Sequence, residues 1–159
     1  MRSILHAATL ACVALTLALC CALAQAADSG RATPAQAKAL VAHAIVLFDK
    51  LGSKTVFARI NAPDGGFAKG DLYVFVFGPK DAIVAQAHDP SRVGLDADKL
   101  IDADGRSYGR MLVDDATATG AWVYYKRKDP LTGRILSKRS WVVRHAGYVF
   151  GAGVYIEKP

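Results

Sequence analysis

A lysine within a stretch of large side chains is the residue of this sequence best suited to bind an anion. Lys138 lies among Leu136, Val142 and Val143, in a segment with the composition of a strand. If it faces the interior, its charge costs much free energy unless an anion accompanies it. The alternative is that Lys138 faces solvent beside Arg139. In the inward orientation, Lys138 is predicted to pair with the negative charge of a ligand.

Three further side chains could donate hydrogen bonds to an anion. His88 ends a predicted strand, because Pro90 cannot continue the hydrogen-bonded ladder, and an imidazole can donate to a ligand oxygen. Tyr73 and Tyr125 each combine an apolar ring with a hydroxyl that needs a partner when it is buried. Each residue also has an ordinary structural interpretation, as a rim histidine or as a core tyrosine bonded to the backbone. The sequence leaves open whether the two tyrosines face one cavity.

A group of closely spaced aspartates suggests a calcium loop, but the spacing does not fit one. If Asp102, Asp104 and Gly105 occupy their positions in an EF-hand loop, the first ligand would be Leu100 and the last would be Met111. Neither side chain offers an oxygen. We therefore predict that these aspartates stabilise turns and caps: Asp96, Asp98, Asp102 and Asp104.

The sequence offers no set of residues for catalysis or for holding zinc. All three cysteines lie in the first 26 residues, and the histidines after them are widely separated. Ser140 and His145 are five residues apart on one predicted strand, so they lie on opposite sides of the pleat and cannot act as nucleophile and base. We predict neither an enzyme nor a protein with a metal or another cofactor.

The N-terminal segment has the features of a leader that directs export. Arg2 precedes an apolar run, and Ala24-Gln25-Ala26 provides the small residues that a signal peptidase requires. We predict a signal peptide at residues 1–26, a linker at 27–33 and one domain at 34–159, which would be periplasmic or secreted and free of the membrane after cleavage. The alternative is an uncleaved anchor, because the apolar run is about long enough to span a bilayer.

The charge of the mature chain favours anionic ligands but not nucleic acid. Loss of the leader, which contains one basic residue, leaves 19 of the 20 basic side chains against 14 acidic ones, a net charge of +5. The two signs are interspersed and form no basic stripe of the kind that nucleic-acid binders show. Because no cysteine remains, an ordinary apolar core without disulfides must stabilise the domain.

The first element of the domain is predicted to be an amphipathic helix. Thr33-Pro34-Ala35-Gln36 has the form of a capping box with proline at the first helical position. Apolar residues recur at helical spacing over residues 40–51, and Gly52 closes the element. Residues 53–60 can continue as a shorter helix with three inward side chains, Val56, Phe57 and Ile60.

Five antiparallel strands are predicted after the helix, at residues 72–77, 82–88, 121–128, 135–145 and 148–157. The first of them is apolar at every position, so other parts of the chain should cover both of its faces. The 31 residues from Asp89 to Thr119 show no strand pattern, contain a predicted helix at 107–116, and are expected to cover one face. The prediction is an α+β fold: a five-stranded antiparallel sheet with the N-terminal helix on one face and this loop-helix insertion, between strands 2 and 3, on the other.

Several short motifs follow one another between residues 35 and 156. They are GFAKGDLYVFV, HDP after the second strand, VG, DADG, GAWVYY, an Asp-Pro hairpin, a lysine before an aromatic residue in the fourth strand, and GAGVYI at the end. In their order and spacing these motifs resemble the single Cache domain family of extracytoplasmic sensors. The resemblance implies a PAS-like sheet, a pocket between the sheet and the insertion, and the binding of short carboxylates or amino acids without chemistry.

The resemblance also implies which residues contact the ligand. Carried over to this sequence, the pocket takes Tyr73, His88, Tyr125 and Lys138, with Lys138 as the counter-ion of a carboxylate. Trp141, which stands where tyrosine is usual, is predicted as a further contact and could alter ligand binding. The turn after the first strand, Gly-Pro-Lys-Asp, departs from the family as well, but away from the pocket.

We therefore predict an exported sensor-type module for a small organic anion, which signals through a partner such as a membrane receptor or histidine kinase. A partner is expected because no transmembrane helix or transmitter follows the last predicted strand. The alternative is a structural or interaction subunit with a vestigial pocket, which docks on a membrane receptor or enzyme. Stabilisation of the protein by carboxylates would distinguish the two hypotheses.

Overall fold

The computed structural model describes residues 30–156, which form one helix followed by a sheet and a second, shorter helix. The helices are α1 (Pro34–Asn61) and α2 (Tyr108–Asp114), and two 3-10 turns, Pro90–Arg92 and Ala97–Lys99, precede α2. The strands are β1 (Ala68–Lys69), β2 (Leu72–Phe77), β3 (Ile83–Gln86), β4 (Ala121–Lys128), β5 (Ile135–His145) and β6 (Tyr148–Ile156). The predicted signal peptide, residues 1–26, lies outside the described residues.

Helix α1 begins and bends where the sequence predicts. The side chain of Thr33 accepts a hydrogen bond from the amide of Gln36, and the side chain of Gln36 accepts one from the amide of Thr33, so both halves of the capping box are present. At Gly52 the backbone leaves the helical conformation, with φ of 77°, and a shorter helix follows. Leu51, predicted within the apolar stripe, is exposed beside this kink. Within residues 30–156, no helix is long and apolar enough to cross a membrane.

The sheet is antiparallel, and its strand order is β1-β2-β6-β5-β4, with β3 also paired to β2. The five predicted strands correspond to β2 to β6, and β1 is a two-residue addition. The pairing brings Lys138 of β5 opposite Tyr125 of β4 on one side and opposite Tyr155 of β6 on the other. Because directly paired residues project from the same face of a sheet, these three side chains share one face.

Both faces of the sheet are covered, as the apolar sequence of β2 predicts. On one face α1 packs its aromatic residues against β6, and the ring centroids of Phe48 and Phe150 are 5.4 Å apart. On the other face lies the insertion, held by Arg144 of β5, which donates hydrogen bonds to the carbonyls of Val113 and Ala116. Residues 73–77 of β2 are consequently all buried.

Candidate functional site

A small cavity lies between the sheet and the insertion. Its volume is about 20 Å³, which is room for about one water molecule. The sheet contributes alternate residues of β2 because the pleat directs every second side chain to this face. The insertion supplies the opposite wall. The sheet residues are Tyr73, Phe75, Phe77, Ile83, Gln86, Tyr125 and Arg127, and the insertion residues are Arg92, Leu100, Tyr108 and Leu112.

Lys138 does not line this cavity, but it faces inward and packs against Tyr73, which does. Its side chain is 1% exposed, and Nζ is 4.0 Å from the ring centroid of Tyr73 and 4.5 Å from that of Tyr155. Among the described residues, no atom forms a hydrogen bond with Nζ. The two rings offer cation–π attraction, but the three donor hydrogens of the lysine remain without an acceptor.

The glycines of β6 make room for Lys138. Gly153 lies opposite Ser140 of β5, and a Cβ atom at Gly153 would stand 2.4 Å from Cε of Lys138 and 2.3 Å from Oγ of Ser140. Two residues earlier on the same strand, the ring of Phe75 lies directly on Gly151. Small residues on this face of β6 therefore allow the lysine to fold over the strand.

Two stacked tyrosines form the wall between β4 and the insertion. The rings of Tyr125 and Tyr108 are nearly parallel, with centroids 4.7 Å apart, and the hydroxyl of Tyr125 is 2.8 Å from Oγ of Ser140. Burial raises the pKa of the Tyr125 hydroxyl well above its ordinary value, and burial likewise raises the pKa of Tyr108. Both phenols therefore stay neutral at physiological pH and keep a proton to donate.

Polar side chains of both the insertion and the sheet have buried atoms that lack hydrogen-bond partners at this place. Arg92 donates from Nη2 to the hydroxyl of Tyr108 at 2.9 Å, whereas its Nε is buried without a hydrogen-bond partner. Within residues 30–156, four buried side-chain atoms lack such a partner. Two of them, Arg92 Nε and Gln86 Oε1, belong to the cavity wall, and a third, Lys138 Nζ, lies against Tyr73 of that wall. Buried polar groups are usually satisfied, so this concentration indicates a site built for a polar ligand.

His88 lies at the mouth of the site and not inside it. Its exposed ring stacks on Tyr73, with centroids 5.1 Å apart. Both residues line an open groove of about 400 Å³. The groove shares Tyr73, Gln86 and Arg127 with the cavity, so it is the open approach to the cavity from solvent.

Trp141 was predicted to contact the ligand, but the structure places it away from the other site residues. It is three residues from Lys138 on the same strand, and an odd separation places the two side chains on opposite faces of the sheet. The ring of Trp141 lies on the α1 side, where it packs against Trp122 of β4 and 4.1 Å from Nζ of Lys38 of α1. The structure therefore brings four of the five predicted site residues to one face and leaves Trp141 on the other.

Four polar residues of the cavity wall were not predicted from the sequence: Gln86, Arg92, Tyr108 and Arg127. Gln86 had a usable signal, because it lies two residues before His88 and so shares the same side of the strand. Arg92 and Tyr108 lie in the insertion, which has no periodic pattern to indicate which side chains face the sheet. Only the folded insertion brings them to the cavity.

Asp102 acts as a structural group in the insertion. Burial alone would raise the pKa of its carboxyl, but hydrogen bonds from Arg106 and from the amides of Asp104 and Lys126 outweigh this effect and lower the pKa to about 2. The carboxylate thus closes the DADG turn and joins it to β4. In the part of the chain that the structure describes, no group of three or more His, Cys, Asp or Glu residues is arranged to hold a metal ion.

Solved structures with the same fold include sensor domains. A methyl-accepting chemotaxis protein from Vibrio parahaemolyticus gives a TM-score of 0.64 at 18% identity, covering 77% of this chain and 87% of that one. A periplasmic sensor domain of a chemotaxis protein gives 0.57 at 20% identity, covering 76% and 88%. A Cache chemosensory domain, described as a structural basis for carboxylic acid recognition, gives 0.56 at 18% identity, covering 76% and 86%. At these identities the likeness concerns the fold.

The sequence itself provides the family assignment. No curated protein matches it. The model of the family described as Single Cache domain 2, however, matches residues 6–158, which is nearly the whole chain. This chain therefore belongs to the single Cache domain family.

Proposed function

We propose that this protein is an extracytoplasmic sensor module that binds a short carboxylate beside Lys138. The observation that carries the proposal is the lysine itself: it is 1% exposed, and its amino group has no hydrogen-bond partner among the described residues. A carboxylate would supply both the acceptor and the negative charge that such a group lacks. The hydroxyls of Tyr73 and Tyr125 would complete the site as donors, and His88 would contact ligand at its mouth.

The lining supports a plain carboxylate over an amino acid. The basic residues Arg92 and Arg127 belong to the cavity wall, and none of the described residues that line this cavity is acidic. An amino acid would bring an ammonium group, for which the wall offers one unpaired acceptor, Gln86 Oε1, and no counter-charge. A simple carboxylate brings no such group. One solved structure of this fold is described as recognising carboxylic acids, which is consistent with the same class of ligand in this protein.

The cavity volume implies that binding requires a rearrangement. A space of about 20 Å³ holds one water molecule, and a carboxylate is larger. We infer that this structure represents the closed arrangement of the site. The open groove lined by Tyr73, His88 and Arg127 would admit the anion, and the rings beside Lys138 would part to receive it.

The proposed module acts on a partner and performs no chemistry. We propose that it is exported by its N-terminal leader, works in the periplasm or outside the cell, and reports occupancy to a membrane receptor or histidine kinase. Its fold is shared with sensor domains of chemotaxis proteins, which supports a receptor as the partner.

A second candidate function rests on the small volume of the cavity. If its side chains fill the pocket permanently, the protein is an interaction subunit with a vestigial site, which docks on a membrane receptor or enzyme. In that case Lys138 would be a structural residue held by the rings of Tyr73 and Tyr155.

Thermal unfolding with a panel of small molecules tests the proposal. Acetate, propionate, lactate and succinate are compared with alanine and with sodium chloride at equal ionic strength. We expect at least one carboxylate to raise the melting temperature in a concentration-dependent way, because ligand that binds only the folded state stabilises it by mass action. Alanine and chloride should have no such effect.

A pair of lysine variants locates the binding site. Lys138→Met should abolish the carboxylate-dependent rise, whereas Lys80→Met, which removes an exposed lysine in the turn after β2, should retain it. If no carboxylate stabilises the wild-type protein, the interaction subunit is the better explanation. If the rise survives in Lys138→Met, the protein binds carboxylates elsewhere.

A further inference from the structure

The side chain of Arg31 connects the start of the described chain to two hairpins. Its guanidinium forms two hydrogen bonds of 2.9 Å with the carboxylate of Asp129, in the turn between β4 and β5. It also lies 3.5 Å from the carboxylate of Asp71, at the start of β2. The amide of Ala32 donates to the second oxygen of Asp71 at 3.1 Å. Residues 31 and 32 thus bind both carboxylates immediately before the capping box of α1.

The charged groups of this contact are almost fully buried. The side chains of Asp71 and Asp129 are 2% and 0% exposed, and that of Arg31 is 12% exposed. The hydrogen bonds from Arg31 hold the pKa of Asp129 well below its usual range. A bidentate pair in such surroundings has a fixed geometry, so it responds to small displacements of either partner.

Asp129 is joined to the floor of the anion site through one tyrosine. The hydroxyl of Tyr155 donates to the carbonyl of Lys128, the residue before Asp129, at 2.7 Å. The ring of the same tyrosine is one of the two that enclose Nζ of Lys138. A movement of this ring therefore acts directly on the backbone next to the Arg31 contact.

Asp71 is joined to the same site through the other ring. Tyr73, which encloses Nζ of Lys138 from the other side, lies two residues after Asp71 on β2. The two rings that must part to admit an anion are thus linked, through the backbone at Lys128 and at the start of β2, to the residues whose carboxylates Arg31 holds together.

We propose that Arg31, with the amide of Ala32, forms a latch that holds the anion site closed and that carboxylate binding loosens. The inference rests on the proposed function, because it concerns regulation of the site beside Lys138. Parting of Tyr73 and Tyr155 separates Asp71 from Asp129 and weakens the contact of Arg31 with both. The loosened segment, residues 30–32, then changes the surface that the module presents to its partner.

The latch makes a directional prediction about affinity. Breaking it removes a contact that opening must otherwise break, so Arg31→Gln should bind carboxylates more tightly than the wild-type protein. By linkage, the factor by which the latch weakens binding equals the factor by which binding weakens the latch. We expect a factor of about five or more, the lower end of typical coupling between sites.

Two measurements on the intact protein test the latch. Calorimetric titration with acetate, propionate, lactate and succinate gives the dissociation constants of wild type, Arg31→Gln and Arg31→Lys. The lysine variant keeps the charge but loses the paired geometry, so its constants should lie between the other two. Arg134→Gln, which removes an exposed arginine from the same hairpin, should match wild type within about twofold, since surface substitutions have small effects. Hydrogen exchange at the Ala32 amide of wild type should accelerate when a carboxylate binds.

The outcomes separate the latch from the proposed function. Tighter binding by Arg31→Gln together with faster exchange at Ala32 supports the latch. Equal dissociation constants in wild type and Arg31→Gln, with unchanged exchange at Ala32, overturn the latch and leave the carboxylate site intact. If the wild-type protein binds none of the four carboxylates, the proposed function fails and the latch fails with it. Should Arg31→Gln not fold, Arg31→Lys and the exchange measurement on wild type decide the question.

Discussion

Lys138 keeps its amino group between two aromatic rings, where cation–π attraction replaces only part of the hydration that the charge has lost. In the proposed function, a ligand and not the fold requires this costly group. The stability of the ligand-free protein should therefore rise when this lysine becomes apolar.

Lys138→Met is expected to increase the free energy of unfolding of the ligand-free protein by about 1 to 3 kcal/mol, as replacement of buried charges by apolar residues of similar volume often does. Urea denaturation without added carboxylate measures it. Lys80→Met, at an exposed position, should stay within about 0.5 kcal/mol of wild type. A loss of stability in Lys138→Met would mean that the amino group has a structural role.

Asp102 provides a prediction about acid stability. Its pKa in the folded protein is about 2, below the value of about 3.9 for an unperturbed aspartate. The carboxylate therefore stabilises the fold at pH values above about 4, and this contribution is lost as the pH falls towards 2. Asp102→Asn should be less stable than wild type at neutral pH, and the difference should shrink through that window. Urea denaturation of both proteins as a function of pH would contradict this assignment if the difference were constant.

At the level of single residues, the sequence supports predictions only where a strand pattern sets direction. The pleat relates Lys138, Ser140 and Val142, so the face of one fixes the faces of the others. Trp141 was wrongly grouped with them because a family resemblance orders residues along the chain and gives no direction for each. The roles of Arg92 and Arg31 were not predicted, because neither residue belongs to an element with a periodic pattern.

At the level of elements, β6 places glycines where the site needs space. Phe75 covers Gly151, and Lys138 and Ser140 cover Gly153, so these positions exclude even a methyl group without rearrangement. The same strand has larger side chains on the α1 face, among them Phe150. On its α1 face β6 therefore packs large side chains against the helix, and on its insertion face its glycines make room for the side chains of Phe75 and Lys138.

Alanine substitutions in β6 should have separable effects. Gly151→Ala places a Cβ 2.2 Å from the Phe75 ring and is expected to cost about 1 to 3 kcal/mol of stability through overpacking. Gly153→Ala meets Oγ of Ser140 at 2.3 Å and Cε of Lys138 at 2.4 Å, so it should displace the amino group and weaken carboxylate binding, an effect that Gly151→Ala should not have directly. Chemical denaturation and calorimetric titration of both variants measure the two effects. Equal stability of Gly151→Ala and wild type would be incompatible with close packing of the Phe75 ring on this glycine.

The regular elements were predictable because each has a strong local signal. The capping box sets the start of α1, and Gly52 sets its kink. Turn residues between the five main strands set where those strands begin and end. The insertion has polar turns in place of a period, and tertiary contacts such as those of Arg144 and Asp102 hold it in place. Its path over the sheet, and with it half of the cavity wall, could not be derived from local pattern.

At the level of the whole molecule, the sheet separates two tasks. The α1 face is filled by aromatic residues that stabilise the fold, whereas the insertion face contains unsatisfied polar groups around a nearly closed cavity. In the proposed function, a carboxylate would open this cavity, and the free energy for opening would come from contacts that only the ligand makes. The charge of Lys138 would be the main source of those contacts.

The most direct test of the role of Lys138 is a crystal structure of the complex with a carboxylate. The carboxylate to use is the one that gives the largest rise in melting temperature. We expect a carboxylate oxygen about 2.7 to 3.2 Å from Nζ of Lys138, with the Tyr73 and Tyr155 rings moved apart. A structure in which both rings still enclose Lys138, and the carboxylate binds at another place on the molecule, would contradict that role.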